Sequence, residues 1–417
     1  MSIFPGARRD PARPVLPSFR DPRFALLLVG QSFGWICSWA SAIVLWGFAA
    51  YHFGASPEAI SVTALCWSGP PVVLTAFTGG LTDRFGPRTM LIIGYACSAA
   101  ASLGMTTAGS LTSLDIMAAA CGAARSVCSP ASSTLPTRVV EPGDLLAANS
   151  LLGVTASIGQ VGGPLAASVL MAGAGFRTAF AADAALYLVN ALVIIPLPTL
   201  PRPDEPRESG TADSRRSAPG VSWLRKAAAG AVTVARDPGL RRVAMARLGV
   251  TFTSGAFLVI EPLYARHVLD RPPSQFALFE VAIGAGAIVT GLALPVIRRR
   301  RPAGRPAGTV LAAGAISYGL AAALFTGTPW IPVAYLGAFA WGVGGTVFYT
   351  AAATTLQRLA PAKTLGRVAG VISTAESTVE NVSMPLAGLL IAGAGIRSGA
   401  LILAAVAVAA GMACLRG

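Results

Sequence analysis

The sequence predicts an all-α membrane protein, with twelve transmembrane helices arranged as two pseudo-symmetric six-helix bundles. Three observations carry that expectation. Over 417 residues the mean hydropathy is +0.64, with 54% hydrophobic and only 12% charged residues, far from the composition of a water-soluble domain. The apolar residues gather into twelve runs, each about 20 residues or longer and able to cross a bilayer as a helix. The second half of the chain repeats the first.

The runs fall at residues 24–50, 57–80, 89–109, 112–137, 149–172 and 177–197. After a polar gap they resume at 241–264, 275–297, 308–327, 331–355, 366–392 and 397–415. With both termini on one side, the loops of the opposite side hold only Arg177, Arg266, Arg271 and Arg397. Arg125 and Arg247 lie within runs, and every other Lys and Arg of the 32 falls on the side of the termini. By the positive-inside rule that side is cytosolic, so the net charge of +14 answers to the anionic inner leaflet of a cell membrane rather than to nucleic acid.

The N-terminal segment "MSIFPGARRDPARPVLPSFRDPR" has arginines ahead of an apolar run. That run is too long for a signal sequence and has no clear cleavage site, so residues 1–23 read as a retained cytosolic tail. Cys37, Cys66, Cys97, Cys121, Cys128 and Cys414 all fall in apolar runs without metal-ligand spacing, and read as buried small hydrophobes.

The repeat is direct. "PLAASVLMAGAGFR" (164–177) returns as "PLAGLLIAGAGIR" (385–397), and "TLPTRVVEPGDLLAAN" (134–149) is answered by "TLQRLAPAKTLGRVAG" (355–370), about 220 residues later. Asp21 and Pro22 before the first run likewise have counterparts in Asp237 and Pro238 before the seventh. A period this long describes two bundles and not a solenoid. The expected units are a bundle at 24–197, a cytosolic linker at 198–240 and a second bundle at 241–417. Within the linker, "PTLPRPDEPRESGTADSRRSAPG" is too polar and too rich in Pro and Ser to bury a core. "VSWLRKAAAGAVTVARD" spaces its apolar residues as an amphipathic helix lying on the inner leaflet.

Between the second and third runs stands "GGLTDRFGPR". Gly79 and Gly86 permit a tight turn and close helix approach, while Asp83 can face the positive N-terminal end of a helix, the eleventh run being the natural partner. Gly79, Leu81, Asp83, Arg84, Gly86 and Arg88 resemble the loop motif G-x-L-x-D-R-x-G-r-[RK] of the major facilitator superfamily, with Pro87 in place of a basic residue. The resemblance implies a cytosolic latch between the bundles in the outward-facing state. The second-half counterpart, "VIRRRRPAGRPAG", keeps the basic residues but has no Asp. Three further stretches, "GAARSVCSPASSTLPTRVVEPGDLLAANSLLG", "YARHVLD" and "TLQRLAPAKTLGRVAG", resemble the enterobactin-exporter-like branch, whose members export siderophores, antibiotics and other amphipathic compounds. That branch often has an acid after the glycine of the first run, whereas this chain reads "QSFGWICSW", with Trp35 after Gly34.

Charges inside the runs are costly, about 2.5–3.5 kcal/mol each by insertion scales, and so invite a functional reading. Arg125 lies near mid-depth; the resemblance implies a proton-relay or substrate-anion contact, with a structural ion pair as the alternative. Glu376 and Glu380 share one helix face four residues apart, so at least one is expected to exchange a proton, with Arg125 as counter-charge from the other bundle. Asp183, Glu261 and Glu280 lie toward the outer side, either at the interface or in the pathway. Gln31, Trp35, Gln160 and Asn381 are the expected substrate-cavity residues. The small-residue runs "GQVGGP" and "AIGAGAIVTG" read as packing faces.

There is no G-x-x-x-x-G-K-[ST] loop and there are only two histidines, so neither ATP hydrolysis nor a metalloenzyme has its parts. The expected protein is a monomeric, cofactor-free secondary transporter. It is expected to export a small amphipathic compound in exchange for protons. Proton-coupled uptake and a non-transporting membrane sensor are the alternatives.

Overall fold

The computed structural model describes residues 22–135, 139–140, 145–196, 230–300, 307–360 and 364–415, without the side chains of Ala76, Asp83, residues 145–147, 149–150 and 295–300, Ala307 and Gly366. Among these residues there is no strand, and twelve long helices account for nearly all of them.

The first six helices are α1 (Pro22–Gly47, continued by a π-helical turn Phe48–His52), α2 (Pro57–Phe85), α3 (Pro87–Met105), α4 (Leu111–Thr134), α5 (Leu145–Gly173) and α6 (Gly175–Ile194). The second six are α7 (Pro238–His267), α8 (Pro273–Arg300), α9 (Ala307–Gly327), α10 (Ile331–Leu359), α11 (Leu365–Ala394) and α12 (Ile396–Leu415). Most of the linker expected at 198–240 lies outside the described residues. Its last part is helical at residues 230–236, and Gly230 packs closely against Arg367 and Val371 of α11.

Local chemistry sets the boundaries. Proline opens α2, α3 and α7, where its missing N–H costs nothing. The Asp237 side chain accepts hydrogen bonds from the backbone N–H groups of Gly239 (2.8 Å) and Leu240 (3.0 Å), capping α7. Asp237→Ala should therefore lower stability by about 1 kcal/mol, read as an earlier unfolding midpoint in detergent. Gly86 sits at φ +82° between α2 and α3, a conformation that any side chain would strain.

Eight helices are long and apolar enough by composition alone to cross a membrane. The other four, α2, α3, α4 and α11, lack one continuous stretch that apolar, and two of them hold the interior charges Arg125, Glu376 and Glu380. Large apolar side chains such as Val73, Phe77, Val169, Leu192, Leu292 and Leu389 are exposed, as a surface in contact with lipid allows. Of the cysteines, all six of which were expected to be buried, only Cys37 and Cys121 are; Cys66, Cys128 and Cys414 are half-buried and Cys97 is exposed. In a bilayer the outer surface is as apolar as the core, so hydropathy does not separate the two.

The halves repeat in space. In the first, α1 packs on α5 and α6, and α4 on α2 and α3, with α3 also on α6. In the second, α7 packs on α11 and α12, and α10 on α8 and α9, with α9 also on α12. Adding six to each label converts one set into the other. The bundles meet chiefly through α2 with α11 and α5 with α8, two pairs that the same operation exchanges.

Those contacts concentrate toward one face, which carries the arginine-poor loops. Ser61 Oγ donates to the Met384 carbonyl (2.9 Å), Ser68 Oγ to Asn381 Oδ1 (2.8 Å) and Ser168 Oγ to the Ser274 carbonyl (2.8 Å). The Arg266 guanidinium of α7 lies 5.8 Å from the Tyr51 ring at the end of α1. Toward the arginine-rich face no hydrogen bond among the described residues joins the same four helices across the bundles. Gly79 and Gly80 in α2, Gly153 in α5, Gly291 in α8 and Gly370 in α11 have open space where a side chain would go. By contrast Gly284 of α8 presses on Val161 of α5, and Gly388 of α11 on Pro57–Ser61 of α2. The molecule is closed at the arginine-poor face and parted at the other.

Candidate functional site: a two-lobed central cavity

Closure at one end and separation at the other leave a cavity in the middle, with one lobe on each bundle. The first lobe, about 530 Å³, is lined by Gln31, Trp35, Arg125 and a set of hydroxyls that includes Ser98, Ser129, Ser132, Tyr95 and Tyr187. Gly122, one turn before Arg125, allows the α4 backbone to press directly on Trp67 of α2. That close approach sets the Arg125 guanidinium 3.7 Å above the Trp67 ring. A cation held on an aromatic face in a low-dielectric site is stabilised by about 2 kcal/mol. Gln31 Nε2 reaches toward the Ser132 carbonyl at 3.5 Å.

The second lobe, about 340 Å³, belongs mainly to α7–α10: Glu261, Glu280, Ser254, Tyr318, Trp341 and Tyr349 line it, with Trp39 and Gln160 reaching in from the first bundle. Glu261 and Glu280 are 2% and 5% exposed and lie side by side in the wall of this lobe. They are core groups of the second bundle, not interfacial ones.

Arg247 and Glu376 form a bidentate ion pair, Nε to Oε1 at 2.6 Å and Nη2 to Oε2 at 2.7 Å. This corrects the expectation that Arg125 is the counter-charge of Glu376. Both partners belong to the second bundle, on α7 and α11, where Gly255 brings the two backbones together at Glu380. Glu380, one turn further on, is the carboxylate that feels the field of Arg125 across the cavity.

Asp183 sits apart from the cavity, inside the first bundle. Its Oδ2 accepts from Ser41 Oγ (2.5 Å) and Ser102 Oγ (2.7 Å), which ties α6 to α1 and α3. Asn381 is likewise displaced from its expected role: its Oδ1 is taken by Ser68 and its Nδ2 donates to the Ser377 carbonyl (2.8 Å), so it fastens α11 to α2 at the closed face. Gln31, Trp35 and Gln160 do line the cavity.

Of the loop motif, Gly86 makes the turn as expected. Gly79 does not: it lies within α2, with nothing near it in this conformation. Arg84 is exposed, its guanidinium 5.2 Å from the Phe85 ring, and Arg88 is half-buried. The side chain of Asp83 lies outside the described residues. Sequence reasoning missed Trp67, Tyr318, Trp341 and the pairing of Arg247. For Arg247 a signal existed, since an arginine within an apolar run needs an acid at similar depth on a neighbouring helix.

Two directly repeated bundles around a polar cavity, sealed at one membrane face, define a secondary membrane transporter and not an enzyme. The chain belongs to the Major Facilitator Superfamily, whose family profile matches residues 26–379. No curated protein matches it in sequence. Among solved structures, a POT family transporter in complex with 5-aminolevulinic acid superposes with a TM-score of 0.73 at 13% identity, covering 94% of this chain and 95% of that one. The nucleoside transporter NupG matches with a TM-score of 0.73 at 13% identity, over 94% of this chain and 99% of that one. A bacterial homolog of the human lysosomal transporter Spinster, inward-facing and unoccupied, matches with a TM-score of 0.67 at 14% identity, over 95% of each chain. At such identities the likeness concerns the fold alone.

Proposed function

We propose that this protein exports a small amphipathic compound across the cell membrane in exchange for protons, by rocking of its two bundles. The observation that carries the reading is the cavity itself. It joins apolar and aromatic walls to hydroxyls, one aromatic-seated cation and buried carboxyl groups. With the arginine-rich face taken as cytosolic, the cavity opens to the cytosol. Export as the direction, and a siderophore- or antibiotic-like cargo, rest on the resemblance of the loop and fourth-span stretches to the efflux branch.

Inside-out membrane vesicles made acid inside provide the test. Proton-coupled export appears as accumulation of an amphipathic dye that collapses with the proton gradient. Accumulation only under the opposite gradient indicates uptake, and no flux with any dye of a neutral, anionic and cationic set indicates a non-transporting protein.

The loop motif supplies a second test. In the alternate state, Asp83 is proposed to face the N-terminal end of α11 and hold the cytosolic face shut, an interaction of about 1 kcal/mol. Asp83→Asn should then shift the population toward the inward-open form about fivefold. Transport should fall accordingly while expression and unfolding midpoint stay unchanged. Wild-type flux would remove the latch from the mechanism.

A further inference from the structure

The second lobe holds two carboxyl groups in mutual contact, and no basic side chain lines it. The only ion pair among the described residues, Arg247–Glu376, lies elsewhere in the bundle. Titratable groups facing Glu261 and Glu280 are the phenols Tyr318 of α9 and Tyr349 of α10; α1 and α5 contribute the uncharged Trp39 and Gln160. A charge so far from water is tolerated only with a counter-charge beside it. The pair therefore needs a cation from outside the chain: a proton when the lobe is empty, something else when it is filled.

The walls indicate what that is. Trp341 and Tyr318, each 5% exposed, meet with ring centroids 5.3 Å apart and tilted by 56°. Both line the lobe together with Trp39 and Tyr349. Electron-rich faces around a carboxyl pair are the environment that recognises an ammonium group. The Trp341 indole N–H is buried beside the Tyr318 hydroxyl on the same wall of the lobe.

We infer that Glu261, Glu280, Tyr318 and Trp341 form a binding site for an organic cation, a protonated amine or quaternary ammonium compound, which enters as one proton leaves. This rests on the proposed proton-coupled export and names the cargo class of the same cavity. The exchange balances: one positive charge enters, one leaves, and no covalent bond to the cargo forms or breaks. Because one pair accepts either cation, proton and cargo compete, which is the coupling an exchanger requires.

The test uses purified full-length protein in lipid nanodiscs with ethidium, a permanent cation, and the anionic amphipath 8-anilinonaphthalene-1-sulfonate. Ethidium should bind roughly a hundredfold more weakly at about pH 6 than at about pH 8, as exchange for one proton across two pH units demands. Its binding in weakly buffered solution should release about one proton per ethidium, a readout that needs no variant. The double variant Glu261→Gln, Glu280→Gln should bind ethidium at least roughly tenfold more weakly, without pH dependence. Trp341→Phe should weaken it less, since the aromatic face remains.

Ethidium binding without proton release, or undiminished in the double variant, overturns the site. So does binding of the sulfonate with none of ethidium. The vesicle experiment separates the two levels. Ethidium bound but never accumulated keeps the cation site and removes the export reading; accumulation of the sulfonate alone keeps export and removes the cation site.

Discussion

Arg247→Ala should unfold at a markedly lower temperature than the parent protein and lose nearly all transport. The guanidinium and the Glu376 carboxylate are 20% and 13% exposed and bound to each other by two short hydrogen bonds. Removing one member leaves the other charged, largely desolvated and without its partner, a cost of about 3–5 kcal/mol for a fully buried pair and less for this partly screened one. Glu376→Gln should be milder, because the amide still offers Arg247 an acceptor, though the arginine charge is then uncompensated. Exchanging both for leucine should recover much of the stability, since neither charge is left alone. Whether transport returns with stability separates a brace between α7 and α11 from a part of the coupling. Thermal unfolding in detergent, set beside initial transport rates at equal expression, decides it. An Arg247→Ala protein with the parental midpoint would mean that the pair contributes nothing to the second bundle.

Arg125→Ala should abolish most of the coupled transport, because the one cation of the first lobe is lost. The unfolding midpoint should fall as well, since the desolvated cation–π contact with Trp67, about 2 kcal/mol, is lost with it. The guanidinium stands over Trp67 at 3.7 Å, faces the first lobe and lies within electrostatic range of Glu380 in the opposite bundle. It reaches toward the other bundle by its field and not through a contact. Arg125→Lys should keep a fraction of the activity: the charge survives, but the planar group that stacks on the indole does not. Trp67→Leu should resemble the lysine variant, since the arginine loses its platform and keeps its charge. Full activity in Arg125→Ala would reduce this side chain to packing.

The sequence alone determined the class of molecule. Twelve apolar runs, a repeat at about 220 residues and the confinement of basic residues to alternate loops specify two six-helix bundles in a membrane. A bilayer imposes length, hydropathy and charge on each segment separately, so those properties can be read one segment at a time. Gly86 was equally readable, because the turn between α2 and α3 is a local matter. Pairing was not. Glu376 could be placed at mid-depth by counting, but whether it met Arg125 or Arg247 depended on how α11 rotates against α7. The glycine that permits their contact, Gly255, has no mark to distinguish it in a chain with 46 glycines. Asp183 and Asn381 were rightly noticed as polar groups in apolar runs, yet only the packing of α1, α3 and α6, and of α2 on α11, showed that both serve as internal fastenings. Glu261 and Glu280 lie on different helices and become a pair only when α7 and α8 fold around one cavity. Charges distant in sequence find partners through helix rotation and crossing, which the tertiary structure decides because they depend on every neighbouring side chain at once.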